Sequence, residues 1–199
     1  MKDPYHNYDD YTEAAYFTSK KYSDIKERLY VNSLGLIGEL AELKTAFGLW
    51  YFSGGDSPTV QQSHKENVVK ELGDVLWYLA NTCHALNIKF SSITNGPRTH
   101  VLGQNHTRNK NIDLLIDIAN PQQLGEIAET FKKHVGHEGL TTPSEKIIDI
   151  LTKVFEQALQ VCQHIKTPIS FVLRMNVEKL KKRYPNGFNV TDSINKKDC

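Results

Sequence analysis

The sequence predicts an all-α protein, and three observations lead to this fold class. Apolar residues recur at helical spacing along most of the chain, whereas the alternation typical of strands is weak. The 199 residues are 39% hydrophobic and 24% charged, which is a globular composition. Because a chain of this length can bury a core of its own, we predict a single domain over residues 1–199.

Two helices are expected in the first 50 residues. The first is short and covers residues 8–20. The second covers residues 25–49, and its apolar residues recur at the spacing of one helical face. These apolar residues are Leu29, Leu36, Leu40, Leu43 and Phe47. A run of glycine, serine and proline at 53–58 follows this segment and predicts a loop.

A third helix is expected over residues 63–87. Ser63 is placed to cap its first turn, and Glu66 three residues later completes the pattern of a capping box. Turn-forming residues at 94–97 then break the chain, and the polar residues around and beyond them predict a connector at 96–109. The first half of the chain therefore reads as a helical hairpin preceded by one short helix.

The remainder of the chain echoes this first half. The run Gly-Glu-Leu-Ala-Glu at 38–42 returns as Gly-Glu-Ile-Ala-Glu at 125–129, and residues 65–93 are echoed 79 positions later. We interpret the pattern as a duplicated helical hairpin, with the first copy in 1–95 and a degenerate second copy in 110–175. Chance similarity between two amphipathic helices is the alternative interpretation.

Four acidic side chains form two matched pairs. They are Glu39 and Glu42 on the second helix, and Glu71 and Asp74 on the third. Each pair has i, i+3 spacing, which puts both members on one helix face. Because both helices are strongly apolar, these acids are expected to be partly buried, and buried carboxylates need partners. If the two helices pack side by side, the crowded carboxylates favour a hard divalent ion among them; solvated acidic faces are the alternative.

The second copy of the hairpin lacks half of this acidic set. Glu126 and Glu129 match the first pair, but Ile150 and Lys153 stand in the places of the second pair. An apolar residue and a cation cannot serve as oxygen ligands for a divalent ion. We therefore predict one metal site per chain, in the first hairpin, with the second hairpin as its packing partner.

The charge of the chain is nearly balanced but unevenly distributed. A net charge of +1 gives no bulk electrostatic reason to expect a nucleic acid partner. Residues 1–95 carry nine basic and twelve acidic side chains, whereas the basic C-terminal tail at 176–199 carries six and three. Three cysteines without a CxxC pair and the absence of a visible signal peptide predict the cytoplasm. No window is apolar enough to cross a bilayer, so no membrane partner is expected.

These residues resemble a known family. Together with the stretch Asn67 to Ala80 and the tail segment Asn176-Val-Glu-Lys-Leu-Lys-Lys-Arg-Tyr-Pro-Asn-Gly-Phe188, the acidic pairs are similar to the MazG-like, all-α nucleoside triphosphate pyrophosphohydrolases. The resemblance covers most of 8–93 and 170–195 and implies a four-helix-bundle-type fold and a homodimer. Gly38 and Lys70 stand where family members often have glutamate. The degenerate duplication is also similar to the related dimeric dUTPases, which keeps dUTP open as a substrate.

The resemblance implies the hydrolysis of a nucleoside triphosphate to the monophosphate and pyrophosphate. Two or more Mg²⁺ ions, for which Mn²⁺ is a possible substitute, would neutralise the triphosphate and orient a water for in-line attack. Glu39, Glu42, Glu71 and Asp74 are the implied metal ligands. One carboxylate that is not fully engaged with metal would take the proton of the water, and Glu39 or Glu42 is the candidate catalytic base.

Substrate-binding residues are also implied by the match to the family. Lys179 and Arg183 would bind the outer phosphates, with Asn176 as a polar contact, although a cationic helix end stabilised by the dipole explains the same residues. Trp50 and Tyr78 are the aromatic candidates for stacking on the nucleobase, whereas Trp77 is expected in the core. Ordinary core packing is the alternative for the aromatic residues.

Two further functions remain open on the sequence. The broken second half and Lys70 are also compatible with a non-catalytic nucleotide-binding or sensing module. A helical interaction protein, in which the acids only increase solubility, is the third interpretation. The complete set of four ligands favours the enzyme, but the sequence does not specify the preferred base or sugar.

Overall fold

The computed structural model describes residues 7–94, 110–136 and 143–195. Within these residues the secondary structure is helical and no strand is formed, which confirms the predicted all-α class. The predicted connector at 96–109 lies outside the described residues. No helix within them is both long and apolar enough to span a membrane.

The helices are numbered here in chain order. They are α1 (Tyr8–Phe17), α2 (Ile25–Phe52), α3 (Pro58–Ala85), α4 (Phe90–Thr94), α5 (Lys110–Asp117), α6 (Pro121–Gly136), α7 (Glu145–His164), α8 (Ile169–Arg183) and α9 (Val190–Asn195). A single 3₁₀ turn, Ser53–Gly55, lies between α2 and α3. The two longest helices, α2 and α3, each have 28 residues and form the predicted first hairpin.

Helix α3 begins five residues before the predicted start, so the prediction of Ser63 as its cap was wrong. The cap is Ser57, whose hydroxyl accepts a hydrogen bond from the backbone N–H of Val60 at 3.4 Å. Pro58 occupies the first helical position, where its fixed φ suits the helix and its missing N–H costs nothing. Ser63 and Glu66 therefore lie inside the second and third turns of a helix that has already started.

Four helices pack in a cycle around the core. Helix α2 contacts α3 and α6, and α7 contacts the same two partners from the other side. Helices α1 and α8 pack on α3 and on each other, so α3 is the most central helix of the described chain. The rings of Tyr8, Phe90 and Phe155 meet edge to face with centroids 5.5–5.7 Å apart, which ties α1, α4 and α7 together.

Helices α3 and α7 end in the same way, 79 residues apart. Asn87 and Lys166 both have positive φ, at 54° and 51°, in the position just past the helix. The N–H groups five residues beyond Cys83 and Cys162 each donate to the carbonyl of that cysteine at 2.9 Å, which completes a Schellman motif at both ends. Both thiols are buried and free. The offset equals that of the sequence echo, while the origin of the echo by duplication stays a hypothesis.

Candidate metal centre and the adjoining cavity

The packing of α2 on α3 brings three of the four predicted ligands together. Glu39, Glu42 and Glu71 each offer a carboxylate oxygen, and these oxygens all lie within 4.8 Å of one another. The i, i+3 spacing of the first two puts them on the side of α2 that faces α3. Glu71 is buried, Glu39 is half-buried and Glu42 is exposed, so the group opens to solvent on one side.

Burial and mutual repulsion disturb the protonation of this group. The pKa of Glu39 is raised to about 7, first by burial and then by the negative charges of Asp74, Glu42 and Glu71. Burial also raises the pKa of Glu71, although the ammonium of Lys70, 3.6 Å from its carboxylate, opposes that shift. Crowded carboxylates with raised pKa values are stabilised by a cation, and an all-oxygen donor set fits a hard divalent ion.

The fourth predicted ligand, Asp74, has different partners. The ammonium nitrogen of Lys179 lies 2.6 Å from Oδ2 of Asp74, and the side-chain amide of Asn176 donates to Oδ1 at 3.0 Å. Gly73 permits this arrangement, because a Cβ atom there would lie only 3.0 Å from Cβ and Nδ2 of Asn176. The predicted substrate-binding residues Asn176 and Lys179 are therefore brought to the acidic site, where they hold one of its carboxylates.

Tyr11 belongs to the same network and was missed by the sequence analysis. Its hydroxyl donates to Oδ1 of Asn176 at 2.9 Å, inside the protein. The side chain is fully buried, and burial followed by the charge of Asp74 raises the pKa of its phenol well above the usual value. The spacing of Tyr11 and Ala15 predicts a buried face for α1, but no local pattern indicates the partner on α8.

A cavity of about 270 Å³ adjoins the three-carboxylate group. Glu39 and Asp74 form part of its wall, and the predicted substrate-binding residues Tyr78 and Arg183 form another part. Further aromatic and polar side chains complete the wall: Tyr22, Arg28, Asn32, Trp77, Tyr184 and Phe188. Aromatic rings and two carboxylates of the first hairpin, Glu39 and Asp74, therefore line the same cavity.

The ring of Tyr78 is held in this cavity by close packing against α2. A Cβ atom on Gly35 would lie 2.1 Å from the ring, so only glycine allows the ring to sit where it does. The ring of Trp77 meets the ring of Tyr78 edge to face, with centroids 4.8 Å apart. Burial, followed by the charges of Glu39 and Asp74, raises the pKa of Tyr78 to about 12, so its hydroxyl is neutral at physiological pH.

Trp50 lies away from the expected place, and Trp77 lies only partly in the core. Trp50 stacks on Phe47 with ring centroids 5.5 Å apart and is not part of the wall of the 270 Å³ cavity. It follows Glu42 by eight residues, which is about 12 Å along a helix. Trp77, expected in the core, packs against the core with part of its ring but also lines the cavity, and its indole N–H donates to Thr18 at 3.0 Å.

The second half of the chain forms no comparable group among the described residues. Glu126 lies 3.6 Å from the ammonium of Lys146, and Glu129 is paired with two lysines of its own helix, Lys132 and Lys133. The matching positions of the second acidic pair are a buried apolar residue, Ile150, and a lysine that pairs with an aspartate one turn earlier. The two acids that match the first pair, Glu126 and Glu129, are thus paired with lysines.

No protein-family model, no curated protein and no solved structure matches this chain. The predicted membership in the MazG-like family therefore stays a prediction. The site consists of three converging carboxylates, an aspartate held by a lysine, and an aromatic cavity beside them.

Proposed function

We propose that the protein is a Mg²⁺-dependent pyrophosphohydrolase, which hydrolyses ribo- or deoxyribonucleoside triphosphates to the monophosphate and pyrophosphate. The observation that carries this proposal is the position of Glu39. Its carboxylate belongs to the three-carboxylate group and also lines the aromatic cavity. A ligand with a flat ring in the cavity and a phosphate chain at its mouth would therefore meet the metal ligands directly.

Glu39, Glu42 and Glu71 would hold the ion, and Mn²⁺ could replace Mg²⁺ at an all-oxygen site. The bound ion would neutralise phosphate charge and activate a water molecule. Asp74 can join the ligand set when Lys179 turns from it to a substrate phosphate. In this proposal the ion pair of Lys179 with Asp74 occupies the site until substrate and metal arrive together.

Glu39 is also the candidate general base. In the metal-free protein burial and the neighbouring carboxylates raise its pKa to about 7. In the metal-loaded enzyme, a carboxylate of this group that is not fully engaged with the ion would take the proton of the water. Glu42, which is exposed, is the alternative base and can reach solvent water. Arg183 and Lys179 supply positive charge toward the phosphates, and Tyr78 supplies a flat face for the nucleobase.

A substrate panel tests the proposal. The protein is incubated with each nucleoside triphosphate and deoxynucleoside triphosphate in Mg²⁺, and the release of monophosphate and pyrophosphate is measured. We expect turnover of at least one nucleotide, and we expect Glu42→Gln or Glu71→Gln to abolish it while Glu126→Gln retains it. Full activity in either cluster variant would contradict the assignment of the site.

One observation favours a second candidate, a nucleotide-binding or sensing module without catalysis. Lys70 and Lys179 each place an ammonium beside a predicted metal ligand, which partly neutralises Glu71 and Asp74 within the protein itself. Calorimetry distinguishes the two candidates, because tight nucleotide binding without product release would support the module. Association into a homodimer and location in the cytoplasm also stay predictions from the sequence.

A further inference from the structure

We propose that a second groove, between α3 and α8, binds a small phosphate-bearing ligand with a flat apolar group. The groove has a volume of about 590 Å³, which is large enough for a nucleoside monophosphate. It lies beside the metal centre but is not the aromatic cavity of the proposed function, which is lined by other parts of α3 and α8. The proposal does not depend on turnover or on a bound metal.

The groove is strongly cationic. Four lysines line it, Lys65, Lys70, Lys166 and Lys179, against a single acid, Glu66. Four ammonium groups around one space repel each other, and they are the side chains expected around an anion. The sign of the charge therefore selects an anionic ligand.

Among the residues that the structure describes, only two of these lysines are paired with an acidic side chain. Lys70 lies 3.6 Å from Glu71, and Lys179 pairs with Asp74. Within 7–94, 110–136 and 143–195, Lys65 and Lys166 have no acidic side chain at ion-pairing distance. These two ammonium groups are the ones left to bind a phosphate group that enters from solvent.

The backbone fixes Lys166 at the edge of the groove. Its φ of 51° is in the left-handed region, where a helix end usually carries glycine or asparagine, and asparagine stands at the equivalent end of α3. Pro168, two residues later, is the N-cap of α8 and makes no side-chain hydrogen bond to its first turn. The positive end of the α8 dipole thus adds to the field of the lysines.

The apolar side of the groove indicates that the ligand also carries a planar apolar group. Phe171 and Met175 lie one turn apart on α8, and both are more than a third exposed. An aromatic ring beside a thioether is a suitable surface for a planar ring of the ligand. The guanidinium of Arg174 lies 5.2 Å from the centroid of the Phe171 ring and adds a further cation beside this surface. A phosphate joined to a planar ring can contact both the lysines and the apolar surface of the groove, whereas inorganic phosphate can contact only the lysines.

Metal-free conditions separate this groove from the proposed active site. Without a divalent ion, the carboxylates of Glu39, Glu42 and Glu71 repel a phosphate, whereas the lysines of the groove attract it. Binding that persists in a chelator and is weakened when the lysines of the groove are replaced therefore reports the groove. This also separates the two proposals, because a protein that hydrolyses no nucleotide can still bind one here.

The test is calorimetric titration of the full chain with adenosine monophosphate and with inorganic phosphate, both in a chelator. We expect both to bind, and adenosine monophosphate to bind more tightly. Lys65→Ala combined with Lys166→Ala should weaken both about tenfold, since two charge-assisted contacts are lost. Phe171→Ala should weaken adenosine monophosphate and leave inorganic phosphate unchanged.

The matched control removes two exposed lysines elsewhere, Lys26 and Lys89, and so makes the same change in net charge. We expect this pair of substitutions to leave both affinities unchanged. An equal loss in the control would show that net charge alone is being measured, and would overturn the proposal. No binding in the chelator, or binding that appears only when Mg²⁺ is added, would overturn it as well.

Discussion

The ammonium nitrogen of Lys179 lies 2.6 Å from Oδ2 of Asp74, although the two residues are 105 positions apart in the chain. Their side chains are only 16% and 21% exposed, so the pair is partly shielded from water. Through this contact the basic C-terminal segment and the acidic helix α3 form one site. The lysine that the sequence assigns to substrate phosphates is, in the free protein, a partner of a predicted metal ligand.

Replacing Lys179 with methionine should therefore have two opposite effects. Asp74 would lose its cation while the charges of Glu39 and Glu71 still repel it, so the metal-free protein should lose about 1–3 kcal/mol of unfolding free energy. Mn²⁺ should bind more tightly, because the lysine no longer competes with it for Asp74. Urea unfolding in a chelator and calorimetric titration with Mn²⁺ measure the two effects.

The control for this substitution is Lys182→Met, which removes an exposed lysine of the same helix, α8. We expect both its stability and its Mn²⁺ affinity to stay near those of the wild type. If Lys179→Met bound Mn²⁺ no better than Lys182→Met, Asp74 would not become a metal ligand when its lysine is removed.

The raised pKa of Glu39 makes the stability of the metal-free protein fall as pH rises. Below a pH of about 4.5 the carboxyl is protonated in both the folded and the unfolded chain, so it contributes nothing. Between that value and about 7 the folded protein retains a proton that the unfolded chain has released, so each step up in pH favours unfolding. The melting temperature in a chelator should decline across this window.

Two measurements connect this decline with the acidic cluster. In Glu39→Gln the decline should be smaller, because the titrating group is gone. Saturating Mg²⁺ should remove most of it in the wild type, because a bound ion stabilises the ionised carboxylates. A wild-type profile that is flat between pH 5 and 7 in the chelator would refute the raised pKa.

Gly73 sets how closely α8 approaches α3 at the site. A Cβ atom there would lie 3.0 Å from Cβ of Asn176, so Gly73→Ala must push Asn176 away from Tyr11 and Asp74. We expect a loss of about 1–3 kcal/mol, as for other overpacked contacts. Gly125→Ala is the control, since its Cβ would meet nothing within 4 Å on a helix surface. It should gain about 0.5–1 kcal/mol through helix propensity. If the two substitutions changed the unfolding free energy in the same direction, the packing argument would be contradicted.

Much of the first hairpin could be predicted because its signals are local. Helical periodicity located α2 and α3, and i, i+3 spacing put Glu39 and Glu42 on one face toward Glu71. The true start of α3 was missed because Ser57 and Ser63 are both followed by residues that suit a first turn. The capping-box pattern favours Ser63, whereas a proline in the first helical position favours Ser57, and the helix begins after Ser57.

The rest of the site depends on contacts that no local pattern contains. The network from Tyr11 through Asn176 to Asp74 joins three helices, α1, α8 and α3. It forms because Gly73 leaves room for α8, and a glycine within a helix does not indicate which neighbour approaches it. Trp50 was assigned from its position after the acidic pair, but eight further residues of helix carry it too far along α2.

The acids of the two halves make a matched comparison of metal binding. Glu39→Gln with Glu42→Gln should abolish Mn²⁺ binding, because two of three converging carboxylates are lost. Glu126→Gln with Glu129→Gln removes the same charge from two half-buried glutamates of α6 that pair with lysines at the surface, and should leave both Mn²⁺ affinity and melting temperature unchanged. The Mn²⁺ affinity of each double variant is measured from the electron paramagnetic resonance signal of free Mn²⁺. A loss of binding in the second pair would mean that the echo in the second half is functional.

The packing of Tyr78 on Gly35 allows the cavity to be altered without touching a carboxylate. In Gly35→Ala the new Cβ would lie 2.1 Å from the tyrosine ring, which therefore has to move, and the ring of Trp77 restricts where it can go. If the cavity holds the nucleobase, we expect nucleotide affinity in Mg²⁺ to fall about tenfold, a difference of about 1.4 kcal/mol, while Mn²⁺ affinity in the absence of nucleotide is retained. Gly38→Ala, one turn further along α2, is the control, because its Cβ would meet nothing within 4 Å. Calorimetric titrations of the two variants give the answer, and equal nucleotide affinities would place the base somewhere other than beside Tyr78.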